Sequence, residues 1–199
     1  VNTAETQPIA DWREIDLRIS ASEVCIPHGA ALDLGGTAKG WAAQLIADGL
    51  AEVGACLVDF GGDVVGRGAP DRLPGWPVEI EDPFTGQAFA SVYLQDASIA
   101  TSGTDFRHWR DANGDVVHHI VDPRTGKSAA TDVLAVTVIH PQAVHAEAYA
   151  KAVLLQGAER GLSWLNNQWN GAGLVFRLDG ATLANSRFTD LSIERNKHS

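Results

Sequence analysis

The chain's 199 residues allow one domain of ordinary size, with a core that needs no disulfide or metal to close it. Hydrophobic residues make up 45% of the chain and charged residues 20%, the balance of a soluble globular protein. The net charge of -10 argues against non-specific nucleic-acid binding, because an acidic surface repels phosphate backbones; a local cationic pocket would still suit one small polyanion.

In chain order, residues 12–20 alternate, with Ile15, Leu17 and Ile19 on one face, and predict a half-buried strand. A second strand over 23–27 would complete a hairpin. Residues 38–53 carry Trp41, Ala42, Leu45, Ile46, Leu50 and Val53 at helical spacing, with Gly54 at the helix end. A short apolar strand over 55–60 runs into Gly61-Gly62-Asp63. Residues 76–81 and 89–94 read as an antiparallel pair around the turn Asp82-Pro83-Phe84-Thr85-Gly86. Short strands follow over 98–101 and 118–122, the latter closed by Pro123-Arg124-Thr125-Gly126. Residues 134–140 are strongly β-like, 144–155 and 159–168 are helical, and 174–178 open a final hairpin. A strand end and frayed tail are expected over 189–199.

No repeat or low-complexity linker breaks the chain, so residues 1–199 read as one domain. Strands are often consecutive, which predicts an α+β fold with an antiparallel sheet and packed helices, not a doubly wound parallel sheet. No run is long and apolar enough to span a bilayer. Residues 1–10 lack the basic start and apolar stretch of a signal peptide, and the sequence contains no Met, so a processed or trimmed form is expected. Cys25 and Cys56 are too few for a disulfide scaffold and lack metal-site spacing; both are expected as buried small side chains.

Four groups of residues carry chemistry, the second of them two separate strand-end turns. Asp33-Leu34-Gly35-Gly36-Thr37-Ala38-Lys39-Gly40 leads straight into a helix. Its glycines let the backbone turn sharply, the helix N-terminus supplies N–H donors and partial positive charge, and Lys39 adds a full charge. A tight strand-to-helix connection would need the same glycines; Lys39, with no packing role there, favours a phosphate cradle. Gly62 in a second glycine turn, and Ser102 and Gly103 in Ala100-Thr101-Ser102-Gly103-Thr104, add backbone and hydroxyl groups at strand ends.

The third stretch, His118-His119-Ile120-Val121-Asp122-Pro123-Arg124-Thr125-Gly126, gathers His, Asp and Arg beside a tight turn. In a strand only one of His118 and His119 faces a given site. A lone His is more often structural, but a His gathered with Asp and Arg beside a turn suits a general base or a phosphate ligand, the imidazole being switchable near neutral pH. In the fourth, Glu147 and Lys151 share one helix face four residues apart. They suit a surface ion pair, and a Glu just inside a helix N-terminus also suits Mg²⁺.

In this order the blocks Asp33 to Trp41, Asp59 to Asp63, Ala100 to Gly103, His119 to Gly126 and Ala146 to Ala152 resemble the ApbE family of flavin transferases. The resemblance covers nearly the whole chain from about Trp12; its first and fourth blocks are the specific ones. It implies an α+β fold related to the tunnelling-type sheet-and-helix unit, of which this chain would be the C-terminal, larger part. It implies that FAD is the substrate, and that FMN passes with Mg²⁺ through a phosphoester to a Thr or Ser of a target flavoprotein, releasing AMP. Some members instead hydrolyse FAD to FMN and AMP, and an FAD-binding carrier is the non-catalytic alternative. Members are commonly exported or lipid-anchored, so a cell-envelope location is expected, with a cytoplasmic one as the alternative.

By the same resemblance Asp33, Gly35, Gly36, Thr37, Ala38, Lys39, Gly62, Ser102, Gly103 and His119 would meet the flavin nucleotide, with His119 and Asp122 as the proton-handling pair. The Ala38 carbonyl and Glu147 would hold the metal. The family usually has Asp and Thr as metal ligands on this helix; Glu147 and Lys151 stand in their places. A protonated lysine is no ligand, so its ammonium is expected in the metal's own place. The family's usual N-terminal segment, which helps wall the flavin ring, is not present in the sequence as given.

Overall fold

In the computed structural model, which describes residues 12–105 and 107–195, the first strand is much shorter than its alternation predicts. Two 3₁₀ turns, Trp12–Glu14 and Ile19–Ala21, bracket β1 (Asp16–Arg18), which pairs antiparallel with β2 (Glu23–Cys25). Ser22, in the left-handed region at φ 55°, ends the second turn by donating its N–H to the Ile19 carbonyl at 3.2 Å. Leu17 and Ile19 are exposed, so this hairpin is not the half-buried pair expected. Residues 1–10 and the tail 196–199 lie outside the described residues.

Helix α1 (Ala38–Ala51) forms where the helical spacing predicts it. Its buried face is not the predicted one. Gly40, Ala43 and Ala47 are buried, whereas Trp41, Leu45, Ile46, Leu50 and Val53 are exposed. The reason is close packing: a Cβ on Gly40 would lie 2.6 Å from the Ala143 carbonyl oxygen, so only small side chains fit this contact. Next come β3 (Cys56–Phe60) and β4 (Asp63–Arg67), the latter not predicted because only Val64 and Val65 are apolar in it. Phe60 pairs with Asp63, so Gly61 and Gly62 are a two-residue hairpin loop. Both have positive φ, 66° and 91°, as a type I′ turn requires. Asp59 Oδ1 accepts the Gly62 N–H at 2.8 Å.

The remaining predicted elements come in the expected order, interspersed with strands His108–Arg110, Val116–His118 and Lys127–Ser128 and a helix Ser186–Leu191 that the sequence does not predict. Together they are β5 (Trp76–Glu81), β6 (Ala88–Leu94), β7 (Ala97–Gly103), β8 (His108–Arg110), β9 (Val116–His118), β10 (Val121–Asp122), β11 (Lys127–Ser128) and β12 (Val133–His140). Then come α2 (Ala143–Gln156), α3 (Ala158–Asn166), β13 (Ala172–Arg177), β14 (Thr182–Ala184), α4 (Ser186–Leu191) and β15 (Ser192–Arg195). Six strands make one antiparallel sheet in the order β14-β13-β12-β7-β4-β3; β15-β6-β5 make a second, three-stranded sheet. The α+β class and antiparallel pairing expected from the sequence are what the chain adopts.

Alternation along β12 divides the core. Val136 and Val138 join Val153, Leu154, Leu162 and Leu165 under α2 and α3. Ala135 and Ile139 point the other way, to Ile80, Val92, Leu94, Phe176 and Phe188 beneath the small sheet. The result is three layers, helices on one face of the large sheet and the small sheet on the other. Cys25 and Cys56 are free thiols and only half-buried.

Asn185 ties the C-terminal elements together. Its Oδ1 accepts the Gly173 and Phe188 N–H groups, each at 3.0 Å, and its Nδ2 donates to the Gly171 carbonyl at 2.9 Å, all in a buried setting. Asn185→Ala should lower unfolding free energy by about 1–3 kcal/mol, because it strands buried backbone groups. Urea titration monitored by circular dichroism reads the effect; a midpoint equal to the parent's would overturn it.

Candidate functional site

A cleft of about 570 Å³ opens where β7 ends, the Gly61-Gly62 hairpin turns and α1 begins. Gly35, Lys39, Gly61, Gly62, Ser102 and Gly103 line one part of it; Asp105, Arg107, His119 and Lys151 line the rest. Five of the sequence's separate motifs therefore meet at one place. Gly62, Thr101 and Ala135 also line a second, more apolar slot of about 370 Å³ between the two sheets, with Val64, Val78, Ile80, Ile99 and Phe176. The pair of cavities suits a ligand with an anionic part and a flat apolar part.

The charge in the cleft comes from side chains more than from the helix N-terminus. Asp33 Oδ1 accepts the Gly35 N–H at 2.7 Å, a local turn that starts the loop. The Thr37 and Ala38 N–H groups both donate to the Leu34 carbonyl, at 3.0 and 2.8 Å. Gly40 N–H donates to Glu147 Oε2 at 3.0 Å. The loop thus shapes the wall but directs several of its N–H donors inward, to protein partners. Asp33, Thr37 and Ala38 are not among the residues lining the cleft. Gly36 lies next to the lysine stem: a Cβ there would stand 3.4 Å from Lys151 Cδ, an ordinary contact distance.

Two lysines stand in front of two buried carboxylates. Lys39 Nζ lies 2.8 Å from Asp63 Oδ2, with the lysine side chain 42% exposed and the aspartate 3%. Lys151 Nζ donates to Glu147 Oε1 at 3.1 Å, with the lysine 25% exposed and the glutamate 1%. Burial raises the Asp63 carboxyl above its ordinary pKa, an effect that the Lys39 ammonium partly offsets. Each of these lysines thus faces the cleft with its acid behind it, Arg107 adds a third positive group at the rim, and Asp105 sets one carboxylate in the same lining, so the cations outnumber the acid.

His119 sits in the bend between β9 and β10, not inside one strand as predicted. The break arises because His118 is tied down. Its N–H donates to Ser128 Oγ at 3.0 Å, Nε2 lies 3.0 Å from the Ala129 carbonyl, and Nδ1 accepts the Ile120 N–H at 3.3 Å. That pattern puts the His118 proton on Nε2 and makes the residue structural. His119 is left to line the cleft. His119 is exposed at the cleft, yet partial desolvation lowers its pKa below the ordinary 6.5, and the nearby Arg107 and Lys151 charges push the same way, which favours the neutral imidazole at pH 7.

Asp122 is not brought to the cleft. It accepts Arg124 Nε at 2.9 Å and Arg124 Nη2 at 2.7 Å, and the guanidinium holds its carboxyl below the ordinary range. The carboxylate also accepts the Arg124 N–H at 2.9 Å, which closes the turn at Pro123. Its charge is committed to that turn. Conversely, sequence reasoning gave no site role to Gly40, Gly61, Asp63, Asp105 or Arg107. Gly40 carried a signal, since glycine inside a helix needs a packing reason. Asp63 carried a weak one, as an acid directly after a Gly-Gly loop. Arg107 carried none, lying in an unpatterned loop.

The residues present do not fit the Mg²⁺ that the resemblance implies. Magnesium needs near-octahedral oxygen ligands at about 2.0–2.1 Å. Here Glu147, the carboxylate in the family's ligand place, has both oxygens engaged, one by an ammonium and one by a backbone N–H. Among the described residues no group of three or more His, Cys, Asp or Glu side chains is placed to hold a metal ion.

Residues 2–176 match the model of the ApbE family. The FAD:protein FMN transferase of Treponema pallidum is 37% identical over 186 residues, covering 83% of this chain and 50% of that protein. Among solved structures, the ApbE protein of Thermotoga maritima superposes with a TM-score of 0.83 at 27% identity, over 94% of this chain and 62% of that one. The apo flavinyl transferase ApbE of Pseudomonas stutzeri gives 0.76 at 25% identity, over 92% of this chain and 58% of that one. The chain spans about half the length of the curated relatives it matches.

Proposed function

We propose, since the chain belongs to the ApbE family, that the whole protein transfers FMN from FAD to a Thr or Ser hydroxyl of an acceptor flavoprotein and releases AMP. The observation that carries this is the cleft itself. Three cations and a neutral His119 face one cavity that joins an apolar slot between the sheets. A dinucleotide with a diphosphate centre matches that division of chemistry.

In this reading Lys39, Lys151 and Arg107 bind the diphosphate and hold it against the hairpin glycines. Gly61 and Gly62, having no side chains, let the phosphates approach the backbone closely. The acceptor hydroxyl attacks the phosphorus on the flavin side. A new P–O bond forms, the P–O bond to AMP breaks, and AMP leaves with the bridging oxygen. His119 takes the hydroxyl proton as bond formation proceeds, which a neutral imidazole can do and an imidazolium cannot. The lysines stabilise charge that develops on the phosphoryl oxygens and the leaving AMP. A cell-envelope location, through a lipid anchor outside the sequence as given, belongs to the same proposal. Among the described residues no helix is long and apolar enough to cross a membrane.

Incubating the full-length protein with FAD and a candidate flavoprotein acceptor tests the proposal. Covalent flavin should appear on the acceptor by mass spectrometry, with one AMP per flavin. Free FMN and AMP formed without acceptor would replace the proposal with FAD hydrolysis. Bound FAD recovered intact after long incubation would replace it with a carrier.

A further inference from the structure

We infer that the ammonium of Lys151 serves as this site's built-in cation, so that FAD binds through fixed side-chain charges without a divalent metal. The inference rests on the reading that FAD is the ligand, and adds how its diphosphate is neutralised. Four observations carry it. Glu147 and Lys151 are one turn apart on α2, and the ammonium already bonds the buried carboxylate at 3.1 Å. The second carboxylate oxygen accepts the Gly40 N–H at 3.0 Å, so neither oxygen is left without a partner. The Lys151 stem runs beside Gly36, within ordinary contact distance of where a Cβ there would lie, so the lysine passes next to the glycine loop on its way to the cleft. Lys151 lines the same cavity as Lys39 and His119.

An ammonium has three donors and no lone pair. With one donor on Glu147, the others remain for phosphate oxygens, which accept charge-assisted hydrogen bonds. A magnesium ion on the same carboxylate would stand beside a like charge and would have to displace a hydrogen bond that the fold already makes. Lys39 and Asp63 repeat the arrangement, with the Nζ to Oδ2 distance at 2.8 Å. The cleft thus holds two ammonium groups, each backed by a buried carboxylate. Such groups are preorganised, because the acids behind them limit where each ammonium can go.

Calorimetric titration of FAD into the full-length protein, once in EDTA and once in excess Mg²⁺, decides the matter. The expected dissociation constants agree within about threefold, and MgCl₂ added to the FAD complex gives no saturable heat. FAD binding that appears only with Mg²⁺ overturns the inference and leaves the functional reading standing. No FAD binding under either condition sinks the functional reading, and the inference with it. Lys151→Thr should weaken FAD binding in EDTA by about 10- to 100-fold, the size of a hydrogen bond to a charged group, and Mg²⁺ should recover part of the loss. Unchanged affinity of a folded Lys151→Thr protein in EDTA also overturns the inference. If that variant does not fold, the two titrations of the parent protein decide alone.

Discussion

His119→Ala is expected to slow FMN transfer by about 10²- to 10⁴-fold, the usual range for loss of a positioned proton acceptor, while weakening FAD binding far less. The binding charge belongs to Lys39, Lys151 and Arg107, which the substitution leaves in place. A pH signature should accompany the loss. Partial desolvation and two neighbouring cations lower the His119 pKa from the ordinary 6.5. The neutral, proton-accepting form therefore persists below pH 6.5, and kcat/KM should fall only as pH drops through that lowered value. The diphosphate, once bound, favours the imidazolium and moves the pKa back up. The acid limb of kcat should thus lie at higher pH than the acid limb of kcat/KM, which reports the free enzyme. Loss of the limb in a variant with residual activity would tie it to His119. Full transfer activity in His119→Ala, or a kcat/KM limb well above pH 6.5, would remove His119 from the reaction.

The second large effect is on stability. Gly40→Ala places a Cβ 2.6 Å from the Ala143 oxygen and 2.8 Å from the Ala143 carbonyl carbon, both backbone atoms that cannot rotate away. Three contributions compete. Replacing glycine inside a helix by alanine favours the fold by about 1 kcal/mol. Overpacking opposes it by about 1–3 kcal/mol. Pushing α1 from α2 also stretches the Gly40 bond to the Glu147 carboxylate, and a bond to a charged group contributes about 1.5–3 kcal/mol. The unfavourable contributions win, and the net loss should be about 2–4 kcal/mol in urea unfolding. A variant as stable as its parent would show that the helices separate at no cost. Because the same bond positions Glu147 and through it Lys151, the folded fraction should also bind FAD more weakly.

Much of the architecture was legible because local pattern and tertiary role agree. The strongly β-like run over residues 134–140 is the strand signal, and its two faces divide the core, so β12 was found nearly to the residue. The turn at Asp82 to Gly86 and the helix over 144–155 carry equally local signals. Alternation failed over residues 12–20, where 3₁₀ turns at both ends shorten the strand. It failed differently in α1: the helix was correct and its buried face was not, because the neighbouring helix approaches too closely for large side chains.

The site divides the same way. Lys39, the hairpin glycine Gly62, Ser102, Gly103, His119 and Lys151 could each be named from the sequence, since glycine turns and charged residues beside them are local features. What their spacing could not show was orientation. Only the fold decided that His118 is spent on Ser128 and Ala129 while His119 faces the cleft. Only the fold showed that the Asp122 charge is committed to Arg124, and that Asp63 and Arg107 join the site from a hairpin and a loop. The sequence by itself determined the class of the fold, the order of its main elements and the glycine turns and cations of the candidate site, because these depend on short-range pattern. The tertiary structure alone decided which charges face the cleft and which acids lie buried behind the two lysines. Those properties depend on contacts between residues as far apart as Gly40 and Glu147, which no local pattern records.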